Sequence, residues 1–236
     1  MDEAMLSEQV EYYRHRAGEY DDFWSRTGQY VLPADLREDW RADASEAVSA
    51  VLEWAPAGGV LELACGTGLW TQHLAKRALF VKAIDAAPEM LAISRKRLDD
   101  DQSSRGTRRR VTYVEADVFS TWQPERHSYD GIFFGYWHSH IPDDRLEEFW
   151  DKLAIAIRPA GSVMLVDSSP YPKGMVGDSQ ARYERRTLSD GRQYGIVKRY
   201  WDPADLIQRM SSFGWDTHAR TTQNGMILLA QMRHQS

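Results

Sequence analysis

The feature that most constrains this chain is an apolar stretch that runs straight into a paired-glycine turn. Val60-Leu61-Glu62-Leu63-Ala64-Cys65 leads into Gly66-Thr67-Gly68, and an amphipathic segment follows. Strand, glycine turn and helix in that order let a ligand approach the backbone closely, because glycine tolerates left-handed φ and has no Cβ to hold the ligand off. Around this unit, short apolar runs alternate with helical patterns. The runs 60–64, 79–84, 111–114, 131–134 and 162–166 read as buried strands. Helices are expected near residues 4–24, 35–54 and 69–76. Another should open at Pro88 and end by Arg95-Lys96-Arg97, with a loop over 99–107 behind it. From Pro142 on, Leu146, Phe149, Trp150, Leu153 and Ile157 fall on one helical face. Asp202-Pro203 starts a last helix, and 215–221 with 226–232 form a terminal strand pair.

This alternation predicts an α/β fold, a doubly wound and mostly parallel seven-stranded sheet with ligands at the carboxyl ends of the strands. The 236 residues suit a single domain, 1–236, with a helical lid over 1–54 and an insertion over 168–200. No apolar run is long enough for a membrane span, the N-terminus is acidic, and the single cysteine, Cys65, cannot form an internal disulfide. A cytoplasmic protein without membrane contact is expected. The net charge of −6 argues against nucleic acid, since Arg108-Arg109-Arg110 is offset by Asp99-Asp100-Asp101. No Cys, His, Asp or Glu grouping has metal-ligand spacing, so no metal is expected. Oligomeric state stays open.

Two further carboxylates sharpen the site. Asp85 closes the second strand, where it can accept both hydroxyls of a ribose, and Asp117 closes the third, beside Val118 and Phe119, where it can accept from an adenine amine. Either could instead merely end a strand or cap a helix. An NAD enzyme would use the same ribose carboxylate. Its pyrophosphate turn needs a third glycine, however, and Thr71 stands there. Glu62 inside the first strand points instead to a ligand with a cationic amino-acid end.

Glu62-Leu63-Ala64-Cys65-Gly66-Thr67-Gly68, Asp85, Asp117 and Arg158-Pro159-Ala160-Gly161 before a strand together resemble the class I S-adenosylmethionine-dependent methyltransferases. The resemblance implies S-adenosylmethionine as cofactor. It would be held by the glycine turn and Glu62 at its methionine end, with Ala64, Gly66, Gly68 and Trp70 close by. Asp85 would take the ribose, Ala86 and Met90 the adenine face, and Asp117 with Val118 the adenine edge, while Phe134 would line the pocket. Tyr12-Tyr13-Arg14-His15-Arg16-Ala17-Gly18-Glu19-Tyr20-Asp21 resembles the lid of such enzymes, with Tyr13, Arg16 and Tyr20 over the cofactor; simple packing of tyrosines on the core is the other reading.

Substrate identity must come from the segments after the fourth and fifth strands. Between Arg182 and Tyr200 lie Arg185, Arg186, Arg192 and Lys198, with Asp190-Gly191 as a hairpin turn. A basic hairpin on an acidic protein points to anion capture, or else to a solvated surface. Strand alternation sends Arg185 and Arg186 to opposite faces, so only one should meet substrate, and Lys198 ranks below the arginines because it lies farther down the returning strand. Phe133-Phe134, Trp137, His140-Ile141-Pro142-Asp143-Asp144-Arg145 and Arg185 to Arg192 are similar to phosphonate O-methyltransferases of the dehydrophos type, with differences at Tyr136, His138 and Ser139. That similarity implies O-methylation of a small phosphonate or carboxylate in natural-product biosynthesis, with Tyr136 and Trp137 at the substrate. A hydroxyl, phenol or nitrogen acceptor would need a base, for which His138 and His140 are the candidates; His140 could equally brace the loop before Pro142. A binding module that keeps the cofactor pocket but holds a partner through Trp137 and Trp201 is the reading from another class.

Overall fold

The structure, a computed structural model, describes residues 3–100, 110–169 and 180–235. The greater part of the 99–107 loop, Arg108 and Arg109, and residues 170–179 of the insertion lie outside the described residues.

Strands β1 (Gly59–Leu63), β2 (Phe80–Asp85), β3 (Val111–Glu115), β4 (Tyr129–Gly135) and β5 (Ile157–Ser168) are parallel, and β8 (Trp215–Thr221) and β9 (Ile227–His234) close the sheet antiparallel in the order β3-β2-β1-β4-β5-β9-β8. The doubly wound, mostly parallel seven-stranded sheet is therefore present. Every residue of β1 is buried, as expected for a strand covered on both faces. On one face, Trp40 and Val51 of α3 (Ala34–Trp54) and Leu74 of α4 (Thr71–Arg77) pack on Val60, Val81 and Phe133. On the other, Leu146, Phe149, Trp150 and Leu153 of α6 (Leu146–Ala156) and Leu206 and Met210 of α7 (Pro203–Ser211) pack on Leu61, Leu63, Phe134 and Leu165. The sheet order reverses between β1 and β4, and the carboxyl ends of both strands open there, which is where α/β sheets bind ligands.

Three expectations change. The N-terminal helix is not continuous over 4–24: α1 (Glu3–Arg16) gives way to a 3-10 turn at Ala17–Glu19 and a short α2 (Asp22–Ser25) that ends on Arg26 at φ 55°. This break lets the segment bend over the sheet instead of running past it. Ile157 does not belong to α6; it is extended, 3% exposed, and pairs with Tyr129 as the first residue of β5. Arg158 to Gly161 are part of β5 rather than a turn before it, and the register shifts there from Tyr129↔Ile157 to Gly131↔Ser162. A helical period and a strand edge both accept a buried isoleucine, so only the tertiary pairing separates them.

A separate two-stranded hairpin, β6 (Arg182–Thr187) and β7 (Gln193–Lys198), lies against α1. Side chains of α1 bind the other edge of β7: Glu8 accepts from Gly195 N at 2.8 Å and Gln9 from Val197 N at 3.0 Å. α1 also meets α5 (Pro88–Asp100), through the Arg14–Glu89 ion pair at 3.2 Å. α1 thus spans from the β2–α5 side of the sheet to the hairpin, over the strand ends.

Candidate active site

The glycine turn is bent by three left-handed residues, Ala64 at φ 49°, Gly66 at 54° and Gly68 at 80°. A Cβ on Gly68 would meet Ser94 Oγ at 2.3 Å and its Cα at 3.1 Å, so the turn packs against α5 with no room for a side chain. Asp85 braces the turn. Its Oδ2 accepts from Gly66 N and its Oδ1 from Ala87 N, both at 2.8 Å. Burial pushes its carboxyl up to about 6 in spite of those amides. Each oxygen still has a lone pair for a ligand hydroxyl.

Ala64, Gly66 and Asp85 line a cleft of about 730 Å³ together with Tyr13, Tyr20, Ala86, Met90, Asp117, Val118, Phe119, Gly135, Tyr136 and Trp137. Asp117 Oδ1 accepts from Phe119 N at 2.8 Å, which sets the carboxylate at the mouth of the slot, and the Phe119 and Trp137 rings stack at 5.6 Å along one wall. Leu6, Gln9 and Val10 of α1 roof the cleft. The lid is tied to its floor, since Asp21 accepts from Thr67 Oγ1 at 2.6 Å and pairs with Arg97, whose Nε donates to Thr67 O at 2.8 Å.

Tyr13, Tyr20 and Tyr136 also line a second cavity of about 580 Å³, beneath the hairpin, with Arg16, Tyr30, His140, Ser168, Arg186, Lys198 and Tyr200 among its walls. Arg16 sits among the rings of Tyr12, Tyr20 and Tyr30, donates to Tyr30 Oη at 2.9 Å, and leaves a buried Nε without a partner. Arg186 pairs with Glu184 at 2.7 Å, and its Nε is likewise buried and unused, as is Tyr136 Oη. Lys198 is 5% exposed and donates to Ser139 Oγ at 2.8 Å, with Asp167 at 3.8 Å. Tyr136 holds φ 56°, a conformation costly for a bulky residue, which turns it into the junction of the two cavities.

The residues named from sequence therefore divide. Tyr13, Tyr20, Ala64, Gly66, Asp85, Ala86, Met90, Asp117 and Val118 border the cleft. Arg16 borders the second cavity instead, and Gly68 shapes the turn without facing the cleft. Trp70 lines a narrow extension behind Tyr20 and Tyr136. Glu62 is 1% exposed and lies inside β1 behind the turn; burial pushes its carboxyl up to about 8, and its Oε2 has no partner. Phe134 is a correction: the strand alternation that sends Phe133 to the α3 face sends it to the α6 face, where it packs fully buried on Phe149 and Trp150.

His138 is a second correction. It is fully buried between Phe134 and Trp201, its Nε2 takes the Trp150 indole proton at 3.2 Å, and burial holds it near 3, so it has no route to a ligand. Trp137 sits at the cofactor-type cleft rather than the second cavity. On the hairpin, Arg186 faces in while Arg185 is exposed, and Arg192 is spent on Asp190 of its own turn at 2.6 Å. Lys198, ranked below the arginines, is in the cavity because α1 draws β7 inward. Tyr12, Asp167 and Tyr200 were missed; of these only Asp167, near the carboxyl end of β5, carried a signal of the kind used for Asp85 and Asp117. Among the described residues no group of three or more His, Cys, Asp or Glu gathers as a metal site, and no helix is long and apolar enough to cross a membrane.

Comparison with known proteins matches this geometry. Residues 60–161 fit the model of a methyltransferase domain. The chain is 32% identical to DhpI in its complex with S-adenosylhomocysteine, with a TM-score of 0.73 over 99% of this chain and 98% of that one. The DhpI–SAM–HEP complex gives a TM-score of 0.74 at the same identity, over 99% of each chain. A ubiquinone biosynthesis O-methyltransferase of Xanthomonas axonopodis pv. citri is 30% identical over 72% of this chain and 66% of its own length. A demethylmenaquinone methyltransferase of Clavibacter sepedonicus is 29% identical over 58% of this chain, and the match spans half of its length. An acidic strand end under a glycine turn and a slot walled by Phe119 and Trp137 suit the ribose and adenine of one ligand, and the chain belongs to the class I S-adenosylmethionine-dependent methyltransferases.

Proposed function

We propose that this enzyme methylates an oxygen of a small anionic acceptor, a phosphonate or a carboxylate, as a step in natural-product assembly in the cytoplasm. Residues 1–54 would act as lid and 168–200 as acceptor-binding insertion of a single domain. The observation that carries the reading is the second cavity, where Arg186 Nε and Tyr136 Oη are buried donors without partners and Lys198 is a buried cation. Buried donors cost about 1–3 kcal/mol each when unpaired, so the cavity favours a ligand rich in acceptor atoms. Arg16, whose partners among the described residues are the tyrosines Tyr12, Tyr20 and Tyr30, would hold the carboxylate of the cofactor.

When bound, S-adenosylmethionine supplies a methyl carbon that its sulfonium has already activated for in-line displacement. Asp85 and Asp117 fix the nucleoside, and Tyr20 and Tyr136 shape the passage between the cavities. Arg186 and Lys198 orient the acid so that one oxygen faces that passage, and Leu6 and Val10 of the lid exclude water. An ionised acid needs no general base. A neutral acceptor would need one, and His140 Nε2 is already engaged by Tyr13 Oη at 2.9 Å, which favours the acidic acceptor.

Transfer of a tritium-labelled methyl group to a panel of small phosphonates, carboxylates, phenols and amines tests the proposal. Labelled esters of the acids are expected. Transfer only to neutral acceptors overturns it, and tight association with a protein without any transfer would favour a binding module.

A further inference from the structure

His140 was a candidate base, and the structure gives it different work. Its Nδ1 lies 2.6 Å from Val197 O. A carbonyl only accepts, so Nδ1 carries the proton and Nε2 is bare. Nε2 lies 2.9 Å from Tyr13 Oη, and a bare nitrogen only accepts, so the phenol proton points at His140. Both partners are held from outside the pair: Gln9 bridges His140 O and Val197 N, and His140 N donates to Trp137 O. Burial beside Lys198 and Arg186 keeps the imidazole neutral, well below its ordinary range.

Tyr13 lines both cavities. With its proton committed to His140, what the phenol oxygen offers its other neighbours is lone pairs alone. A lone pair at that junction attracts the electron-poor methyl of a sulfonium through weak C–H···O contacts. A phenol proton there would instead occupy the lone pair of the acceptor oxygen and blunt its attack.

We propose that His140 is a positioning residue that fixes the direction of the Tyr13 hydroxyl, so that Tyr13 presents acceptor lone pairs and no proton to the transferring methyl. The inference rests on the methyl-transfer reading above and adds to it how the junction is polarised.

The test needs no acceptor. Histidine 15N NMR of the unliganded protein, with His140 assigned by its loss in His140→Leu, reads the tautomer directly. A protonated Nδ1 and a hydrogen-bonded Nε2 are expected, with the Nε2 resonance moving toward that of a free imidazole nitrogen in Tyr13→Phe. Calorimetry with S-adenosylmethionine and S-adenosylhomocysteine reads the contact with the methyl. Tyr13→Phe and His140→Leu should each weaken the methylated ligand by about two- to fivefold relative to the demethylated one. His140→Gln, which keeps an acceptor toward Tyr13, should retain most of the difference, and the double variant should be no worse than Tyr13→Phe. A proton on Nε2, an equal loss for both ligands, or losses that multiply in the double variant overturns the inference. If neither ligand binds the wild-type protein, the cofactor assignment itself fails.

Discussion

The two cavities meet at Tyr13, Tyr20 and Tyr136 but are built by different means. The cofactor cleft is framed by consecutive strand ends and a turn, and its polar contacts run through backbone: Gly66 N, Ala87 N and Phe119 N all bind the carboxylates that line it. The acceptor cavity is framed by side chains from α1, the loop after β4 and the hairpin, held together by such distant pairs as Lys198 with Ser139 and Gln9 with Val197. A backbone-built site is the more rigid and recurs with the fold. A side-chain-built site can change its ligand through single substitutions while the sheet stays as it is.

If that contrast is right, the cleft should fail at once when a side chain enters its turn. Gly68→Val combines φ 80° with a Cβ 2.3 Å from Ser94 Oγ, and a loss of about 2–4 kcal/mol in urea melts together with loss of cofactor binding is expected. Near-normal binding would show the turn to be more plastic than the comparison allows. Asp85→Ala removes a charged acceptor while leaving the fold, so cofactor affinity should fall by about 1.5–3 kcal/mol in calorimetry.

Glu62 probes the same cleft from behind. Its carboxyl is raised from the ordinary 4.5 to about 8, so the group favours folding fully below about 4.5, and that contribution is lost as pH rises through about 8. Glu62→Gln should flatten thermal stability across that window and gain roughly 2 kcal/mol over wild type at its alkaline end. An unchanged pH profile would mean that the buried carboxylate finds a partner in solution.

Effects in the acceptor cavity should be smaller and confined to one ligand. Arg186→Met is expected to raise the KM of the acidic acceptor about tenfold and leave cofactor affinity unchanged. A matching fall in cofactor affinity would merge the two sites into one. The smallest effect belongs to Arg185→Met and Arg192→Met, whose side chains lie outside the cavity: kinetics unchanged and stability within about 0.5 kcal/mol.

Much of the cleft was legible because its signals are local. Glycine at left-handed positions and an acid at a strand end are recorded within a few residues of where they act, as Gly66 and Asp85 illustrate. Phe134 and His138 misled for a related reason. The stretch 133–140 lies beside the site in sequence, but alternation along β4 turns Phe134 toward α6, and the following turn folds His138 in behind it against Trp150 and Trp201. Proximity along the chain did not say which side of the strand each ring would take.

The sequence by itself determined the sheet, the turn and the carboxylates of the cleft, since each follows from hydrophobic period and backbone stereochemistry over a short window. It also determined that Arg185 and Arg186 would part, because strand alternation requires it. Only the tertiary structure decided that Arg186 and Lys198 are the inward pair, that Arg16 faces them from α1, and that His140 sits between Val197 O and Tyr13 Oη. Those outcomes depend on how α1 docks along β7 and where Val197 O meets His140 Nδ1, contacts between segments more than fifty residues apart that no local pattern encodes.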